Sequence, residues 1–352
     1  MSNKMKTVRN ALLILAALPW TVTAALGNTS DSPLSPTNIF SPASTPAKSV
    51  FDLSLFVLAV TAAIFAIVFS LLTYAIFRYR KRSDDGIEPP QVYGSNQVEI
   101  AWTVIPIIIV IGLFMATARV IVAVQDAHKP PSAIEVSCIG HQFWWEFRYP
   151  TLNVVTANEL HVPVSDPAHP TPTFIKLLSA DTDHSFWVPR LAGKTDLIPN
   201  WENSMWIDPH QTGIYLGQCA QYCGTQHAMM LIRVYVQSRE DFDRWVKEQS
   251  RPAEPVSGSD GSAAEGEHVF ETASCINCHA VAGTVANGRF GPGLTHLMSR
   301  DTIASGVEPN TRENLRLWIK DPNTIKPGCL MPAMGLTDHD LDALTAYLET
   351  LR

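Results

Sequence analysis

The stretch that decides the fold and chemistry of this chain is residues 219–230, CAQYCGTQHAMM. It places two cysteines, a histidine and a methionine at successive spacings of four, four and three residues. Thiolate, imidazole and thioether groups are polarizable ligands, which copper binds better than hard cations do. A zinc site built from Cys219, Cys223 and His227 is the main alternative. Because zinc sites seldom recruit methionine, the pattern favours copper.

The residues on either side indicate whether this stretch forms a helix or a loop. On a helix, the same spacings would stack the four side chains on one face. However, residues 213–217, GIYLG, and 231–236, LIRVYV, are rich in β-branched and aromatic residues, as strands are. The sequence therefore predicts a metal-binding loop between two strands.

This loop resembles the binuclear copper loop of cytochrome c oxidase subunit II, and the resemblance extends along nearly the whole chain. In that family two cysteines bridge two copper ions, and each copper also has a histidine. One copper has a methionine, and the other has a backbone carbonyl. A second histidine is expected upstream, in the matching motif at residues 181–186, DTDHSF. The implied ligands are His184, Cys219, Gln221 through its carbonyl, Cys223, His227 and Met230.

The chain departs from the family pattern at Gln221, where the family usually has a glutamate. That glutamate side chain helps to hold a magnesium ion near the subunit boundary. A backbone carbonyl does not depend on the side chain, so the resemblance still implies the copper ligand. The magnesium site loses its usual carboxylate.

Residues 275–279, CINCH, form the C-x-x-C-H signature of covalent haem c attachment. Two thioether bonds from Cys275 and Cys278 would hold the haem while the adjacent His279 reaches its iron. A bare C-x-x-C pair would also suit a redox dithiol or half of a zinc site. The adjacent histidine and the downstream sequence favour haem.

The downstream sequence supplies a second axial ligand for the haem iron. Residues 326–334, KPGCLMPAM, resemble the methionine-proline segment of small cytochromes c. Met331, directly before a proline, is the expected ligand, and Met334 is the alternative. Ligation by histidine and methionine raises the reduction potential, as an electron carrier needs. The resemblance also implies that the Pro292 carbonyl accepts a hydrogen bond from His279, which would orient the ring.

The exported part of the chain is predicted to contain two domains joined by a linker. Short β-type runs broken by Pro, Gly, Asn and Asp predict a Greek-key sandwich, which the resemblance identifies as an all-β cupredoxin domain at residues 133–247. Residues 248–263 are rich in Ser, Gly and Ala without a period and predict a flexible linker. The resemblance implies an all-α class I cytochrome c domain at residues 264–352, with a C-terminal helix capped by Thr337.

Two charge-free runs predict a multi-domain membrane protein with a transmembrane hairpin at residues 51–126. Its helices are expected at about residues 51–78 and 100–124, since about 20 apolar residues cross the hydrocarbon. The basic cluster at residues 78–82, RYRKR, places the connecting loop in the cytoplasm. Both termini are then expected on the periplasmic or outer face of the inner cell membrane.

The N-terminus has the pattern of a secretory signal. Residues 1–27 combine basic residues, a short apolar run and small residues suited to cleavage, so they predict a signal peptide. Residues 28–50, rich in Ser, Thr and Pro, predict a flexible leader.

Two further features gain a role only from the resemblance. Glu99, at the start of the second apolar run, matches a family glutamate at the mouth of a proton channel into the catalytic subunit. The aromatic cluster Phe143, Trp144 and Trp145 matches the segment at which an external cytochrome c delivers its electron. The family order Gln-Trp-Tyr-Trp reads Gln-Phe-Trp-Trp here, so Trp144 replaces Phe143 as the candidate for electron input, or the donor docks elsewhere.

Composition excludes some classes of partner. A net charge of −7 gives no basic surface for nucleic acid. Four of the six cysteines fall in ligand-type spacings, which leaves Cys138 and Cys329 as simple thiols or as a disulfide pair.

These features predict the subunit through which electrons enter a haem–copper oxidase, with binuclear copper and one haem c as cofactors. The expected partners are catalytic subunit I, the other oxidase subunits and an external donor such as a soluble or membrane cytochrome c. An equivalent subunit of a nitric oxide reductase is the alternative. A membrane-anchored copper-delivery protein is less favoured, because delivery needs labile sites with few ligands.

Overall fold

The computed structural model describes residues 37–80, 91, 93–125, 127–168, 170–256 and 261–352. The predicted signal peptide, residues 1–27, and the predicted leader up to residue 36 lie outside the described residues. Two members of the basic cluster, Lys81 and Arg82, also lie outside them.

Two long helices begin the described chain: α1, Thr45–Arg78, and α2, Asn96–Gln125. Both are long and apolar enough to cross a membrane by length and composition. Apolar side chains such as Phe65 and Phe114 are exposed along them, as expected for helices that face lipid instead of a protein core. The second helix begins four residues before the predicted start at residue 100 and contains Pro106.

Residues 134–237 form a sandwich of two five-stranded sheets in the described part of the chain. The strand orders are β3-β2-β1-β5-β8 and β4-β10-β9-β6-β7. Strand β1 runs parallel to β5, and β4 runs parallel to β10, while the neighbouring pairs are antiparallel. The strands are β1, Ile134–His141; β2, Trp144–Tyr149; β3, Val154–Ala157; β4, Glu159–Pro163; β5, Thr173–Ser179; β6, His184–Trp187; β7, Thr195–Leu197; β8, Asn203–Ile207; β9, Gly213–Cys219; and β10, Leu231–Gln237.

Aromatic side chains fill the space between the two sheets. Trp145, Phe147 and Phe186 are almost completely buried. Their rings meet edge to face, with centroids 5.8 Å apart for Trp145 and Phe186 and 6.4 Å apart for Phe147 and Phe186. Helix α3, Arg239–Gln249, closes one end of this core with Phe242 and Trp245. Residues 134–249 are called the β-domain below.

The start of α1 differs from the prediction that residues 28–50 are flexible. The helix begins at Thr45, and Pro46 occupies its first turn, where a missing N–H costs no helical hydrogen bond. The Asp208 carboxylate accepts hydrogen bonds from the Thr45 N–H at 2.7 Å and the Ser44 hydroxyl at 2.8 Å. The β-domain therefore caps this helix and extends it beyond the apolar run.

Contacts with one strand show that the two helices form a hairpin. The start of α1 reaches Asp208, directly after β8, and both helices contact β8 itself. Near the end of α2, the Val124 carbonyl accepts a hydrogen bond from the Trp206 indole at 2.8 Å. Because one helix begins where the other ends, they run in opposite directions.

Residues 261–352, called the C-terminal module below, are mainly helical. Its helices are α4, Gly261–Thr272; α5, Arg312–Lys320; and α6, Asp338–Thr350, with two short strands, β11, Thr302–Ile303, and β12, Glu308–Pro309. The Thr337 hydroxyl accepts a hydrogen bond from the Asp340 N–H, so the predicted N-cap is confirmed. The crossing of α4 and α6 is close at Gly266, where an added Cβ would overlap the Ala343 carbonyl.

The described residues of the predicted linker, residues 248–263, include helical and hydrogen-bonded parts. Helix α3 extends to Gln249, and α4 begins at Gly261. Between them, the Ala253 N–H donates to the Ala282 carbonyl at 2.9 Å, and the Arg251 carbonyl lies 3.0 Å from Nε2 of His296. These hydrogen bonds attach the segment to the C-terminal module, and residues 257–260 lie outside the described residues.

We expect Gly266→Ala to lower the free energy of unfolding of the C-terminal module by about 1–3 kcal/mol, the usual cost of forcing a group into a packed contact. The added methyl group would overlap the Ala343 carbonyl and lie 2.8 Å from Cβ of Tyr347. Chemical denaturation followed by the absorbance of bound haem measures the effect.

Gly261→Ala is the matched control, because an added Cβ there meets nothing within 4 Å. Its expected change is within about 0.5 kcal/mol. Equal effects of the two substitutions would contradict the proposed close crossing.

Candidate metal and haem sites

The ligand loop, residues 219–230, connects β9 to β10, so the predicted order of strand, loop and strand is confirmed. Strand β9 ends at Cys219, which pairs with Phe186 of β6. His184 is the first residue of β6 and thus lies beside the loop although it is 35 residues upstream. Sheet pairing therefore brings together the two parts of the predicted copper site.

The two cysteine sulfurs form the centre of the site. They lie 3.9 Å apart. Nδ1 of His184 lies 3.9 Å from the Cys219 sulfur, and Nδ1 of His227 lies 3.8 Å from the Cys223 sulfur. Each cysteine sulfur therefore has a histidine nitrogen beside it.

The remaining predicted ligands complete the same pattern. The carbonyl oxygen of Gln221 lies 3.2 Å from the Cys219 sulfur, and the Met230 sulfur lies 4.0 Å from the Cys223 sulfur. At metal–thiolate bonds of about 2.3 Å, two sulfurs on one tetrahedral ion lie about 3.8 Å apart. The observed separations therefore suit atoms that share a metal.

Burial makes a bound cation necessary if both thiols are to ionise. Cys219, Cys223 and Met230 are at most 4% exposed. The hydrogen bond between the two thiols lowers the pKa of Cys219 and raises the pKa of Cys223. A soft metal ion would stabilise both thiolates.

The donor set distinguishes copper from the zinc alternative. His184, Cys219 and Cys223 offer ligand atoms that lie within 4.8 Å of one another and would suit zinc. The additional imidazole of His227 and thioether of Met230 lie beside Cys223, which makes a larger and softer set than one structural zinc ion uses. The site fits copper.

Asp181 is a functional candidate that sequence reasoning missed. Its carboxylate lies 2.8 Å from Nε2 of His184 and accepts hydrogen bonds from the backbone N–H groups of Gln142 and Thr182, both at 2.6 Å. Burial opposes ionisation, yet these hydrogen bonds lower the pKa of Asp181. A carboxylate on the far nitrogen of a metal-binding histidine orients the ring and strengthens its donor atom. Its position three residues before His184 in the same motif was the available signal.

A cavity of about 340 Å³ lies in the C-terminal module against the β-domain. Cys275, Cys278 and His279 line it, together with both candidate methionines, Met331 and Met334. Met331 is partly buried, whereas Met334 is 38% exposed, which favours Met331 as the ligand within the cavity. Apolar residues complete the wall: Phe270, Leu294, Leu297, Leu315, Trp318, Leu344 and Leu348.

The predicted orientation of His279 has a counterpart in the structure. Its Nδ1 lies 2.7 Å from the Pro292 carbonyl, which leaves Nε2 for an iron ligand. Burial lowers the pKa of His279 and favours the neutral ring that binds metal. An added Cβ at Gly291 would lie 2.5 Å from Cε1 of this ring, so the close approach requires glycine.

Arg300 supports a negatively charged occupant of this cavity, and sequence reasoning missed it. The guanidinium is buried among cavity-lining residues, and its Nε has no hydrogen-bond partner within the described residues. Burial lowers the pKa of Arg300 to about 10. An orphaned buried donor of this kind fits a haem, whose propionates are carboxylates.

The candidate aromatics for electron input lie in two environments. Phe143 and Trp144 line the haem cavity from the β-domain side and are nearly buried. Trp145 lies in the sandwich core, with its ring 5.9 Å from that of His184. The C-terminal module therefore covers the position at which the resemblance places docking of an external donor.

The other candidate residues lie away from the two sites or have no ligand role. Glu99 lies exposed in the first turn of α2, and its predicted role in proton uptake stays a prediction. Cys138 is a fully buried free thiol in the sandwich, and Cys329 is a free thiol that lines the haem cavity. The disulfide alternative for this pair is therefore wrong.

Family models match three successive parts of the chain. The transmembrane domain of cytochrome c oxidase subunit II matches residues 34–119, and its periplasmic domain matches residues 167–237. The cytochrome c model matches residues 263–352. These matches imply copper in the β-domain and haem in the C-terminal module.

Curated relatives match over most of their length. Cytochrome c oxidase subunit 2 of Alkalihalophilus pseudofirmus is 35% identical over 87% of this chain and 88% of its own length. The protein of the same name from Bacillus sp. strain PS3 is 37% identical over 78% of this chain and 80% of its own length. Quinol oxidase subunit 2 of Bacillus cereus is 31% identical over 61% of this chain and 74% of its own length.

The fold and the two sites define a membrane-anchored redox protein in which a cupredoxin-like copper domain and a cytochrome c domain share one chain. Sequence identity to relatives that match over most of their length then identifies the family of the chain. The chain belongs to the cytochrome c oxidase subunit II family, as the sequence predicted.

We expect Asp181→Asn to weaken copper binding about 10–100-fold, the usual effect of removing a carboxylate that supports a metal ligand. The substitution keeps the size of the side chain but removes the charge beside Nε2 of His184. Copper retention against a graded series of chelator concentrations measures the loss.

Asp183→Asn, which changes an exposed acid of the same motif, is the control and should retain copper as the unmodified protein does. If both variants lose copper equally, the negative charge of the motif would account for the effect, and the contact between Asp181 and His184 would not.

Proposed function

We propose that this chain is the subunit through which electrons enter a haem–copper terminal oxidase. Electrons would arrive from an external cytochrome c, pass through haem c and the binuclear copper centre, and continue to the haems of catalytic subunit I, where oxygen is reduced to water. The observation that carries this proposal is that the haem cavity and the ligand loop share a wall, formed in part by Phe143 and Gln226.

The residues of the β-domain would hold the copper pair in one geometry. Cys219, Cys223, His184, His227, Met230 and the carbonyl of Gln221 would together hold the two copper ions. When bound, the copper pair supplies a one-electron carrier. Because its ligands project from buried strand ends and a closed loop, little protein movement accompanies the change of oxidation state.

The residues of the C-terminal module would hold haem c. Thioether bonds from Cys275 and Cys278 would attach it, and His279 and Met331 would bind the iron. The Pro292 carbonyl fixes the His279 ring, and Arg300 would neutralise a propionate. The methionine ligand would stabilise reduced iron and so raise the reduction potential of the haem, as an electron carrier needs.

The charge pattern supports an orientation in the inner cell membrane. Arg78 is the last residue of α1 and Arg80 follows it, and both belong to the basic cluster that favours the cytoplasmic side. The β-domain lies at the other end of the hairpin, where it caps α1 and contacts α2. The copper and haem sites would therefore face the periplasm, and the hairpin would contact subunit I and other oxidase subunits.

The burial of the copper ligands argues against copper delivery. His184 and Met230 are fully buried, and six donors from a loop and a neighbouring strand favour permanent binding. Transfer of a metal to a partner requires an accessible site with few ligands.

Purification of the intact complex tests the proposal. It should consume oxygen with reduced cytochrome c as donor, and Cys219→Ser should abolish this uptake because one bridging thiolate is lost. The same preparation assayed with nitric oxide distinguishes the nitric oxide reductase alternative. Faster reduction of nitric oxide than of oxygen, or full oxygen uptake by Cys219→Ser, would contradict the proposal.

We expect Met331→Ala to lower the reduction potential of haem c and slow oxygen uptake while the haem stays covalently attached. Each fall of about 59 mV in the one-electron potential of the haem makes its reduction by the external donor about tenfold less favourable. Redox titration and oxygen uptake measure the two effects.

Met334→Ala is the matched control, since Met334 lines the same cavity but is more exposed. It should leave the potential unchanged. A lowered potential in Met334→Ala with no change in Met331→Ala would assign the ligand to Met334 instead.

A further inference from the structure

The haem cavity is not enclosed by the C-terminal module alone. Side chains of the β-domain complete its wall: Gln142, Phe143, Trp144, Asn158 and Gln226. One of these, Gln226, belongs to the ligand loop between Cys223 and His227. The same loop therefore carries copper ligands on one side and borders the haem cavity on the other.

The Gln226 side chain joins the ligand loop to the segment that carries the haem methionine. It is 2% exposed, and its Nε2 donates hydrogen bonds to the carbonyls of Lys326 at 2.8 Å and Pro327 at 3.1 Å. These carbonyls begin residues 326–334, called the methionine loop below. A buried amide in this position satisfies two backbone acceptors, and the nearer one, the carbonyl of Lys326, belongs to a buried residue.

Lys326 donates a hydrogen bond from the C-terminal module to the β-domain. Its side chain is 3% exposed, and its Nζ donates to the Phe143 carbonyl at 3.1 Å. Burial lowers the pKa of Lys326 to about 8. We refer to the contacts among Phe143, Gln226 and Lys326 as the clasp. A buried ammonium and a buried amide have few alternative partners, so the clasp fixes one arrangement of the two loops.

A second set of contacts keeps the C-terminal module in the same place. The carboxylate of Glu159, in β4, is almost fully buried and accepts hydrogen bonds from the Thr302 N–H at 2.9 Å and the Thr302 hydroxyl at 2.6 Å. The Asp301 N–H donates to the same carboxylate at 3.2 Å. The linker segment is also attached to the module by hydrogen bonds. Together these contacts hold the C-terminal module in one position against the β-domain.

We propose that Gln226 is a positioning residue for electron transfer, which holds the methionine loop against the ligand loop so that the haem module works from one docked position. This inference rests on the proposed function. In this role, one electron would leave ferrous haem c, which would become ferric, and would reduce the oxidised copper centre by one electron. The external reduced cytochrome c would replace that electron at the haem, and no bond would change in the transfer.

The test compares Gln226→Leu with the unmodified protein in the intact, detergent-solubilised complex. Leucine keeps the size of the side chain but cannot donate to the Lys326 and Pro327 carbonyls. The rate of copper reduction after rapid photoreduction of haem c should fall about tenfold, the change expected for the loss of two hydrogen bonds of ordinary strength. Lys326→Met, which removes the other half of the clasp, should slow the same step.

Gln249→Leu is the matched control. Gln249 is also a buried interface amide of the β-domain, and its Nε2 donates to the Ser299 hydroxyl at 2.9 Å, but neither residue lines the haem cavity. Its transfer rate should stay within about twofold of the unmodified protein, because the clasp remains intact.

Two readouts separate positioning from damage to either centre. The reduction potentials and the optical spectra of copper and haem should be unchanged in Gln226→Leu, whereas a distorted copper site would alter them. Amide hydrogen exchange in the methionine loop should become about tenfold faster, since the backbone acceptors at its start lose their partner.

An unchanged transfer rate in Gln226→Leu would overturn the inference, and so would equal slowing by Gln226→Leu and Gln249→Leu. A changed copper spectrum or potential that accounts for the slowing would also overturn it. Failure of haem to reduce copper in the unmodified protein is a separate outcome, and it would contradict the proposed function itself.

Discussion

The structure depends on two buried thiols that cannot both ionise without a cation. Cys219 ends a strand and is placed by its pairing with Phe186, whereas Cys223 lies in the loop that follows, and both residues are buried. Pairing of β6 with β9 then sets His184 beside Cys219, and Asp181 holds that imidazole from its other nitrogen. The rigid sandwich therefore presents ligands that suit a soft metal, and it would keep these ligands in place when the oxidation state of the metal changes.

The same requirement, that buried polar groups find partners, joins the two domains. Glu159 and Lys326 are charged residues buried at the interface, and each is stabilised by hydrogen bonds from or to the other domain. Such contacts define one relative orientation, since a shifted interface would leave a charge without a partner. Fusion of the two domains thus does more than raise the local concentration of haem. The interface also holds the haem cavity at one position relative to the copper ligands.

Sequence motifs predicted the parts of the sites that depend on local spacing. The ligand loop, the C-x-x-C-H motif and the Thr337 cap are each defined within a dozen residues, so their patterns are readable without a fold. Asp181, Arg300 and the Gln226–Lys326 contact have no such signal, because their partners are set by sheet pairing or by docking of the domains. The contacts of the predicted linker have no such signal either, because composition does not reveal that Arg251 and Ala253 find hydrogen-bond partners in the next domain.

The central claim is that one chain holds a sulfur-bridged copper pair and a covalently attached haem in adjoining sites. Metal analysis of the purified full-length protein, combined with extraction of haem by acidified organic solvent, tests it most directly. The account predicts two copper ions and one iron per chain, with the haem retained by the protein after extraction. Zinc in place of copper, a single copper ion, or haem that is lost to the solvent would contradict it.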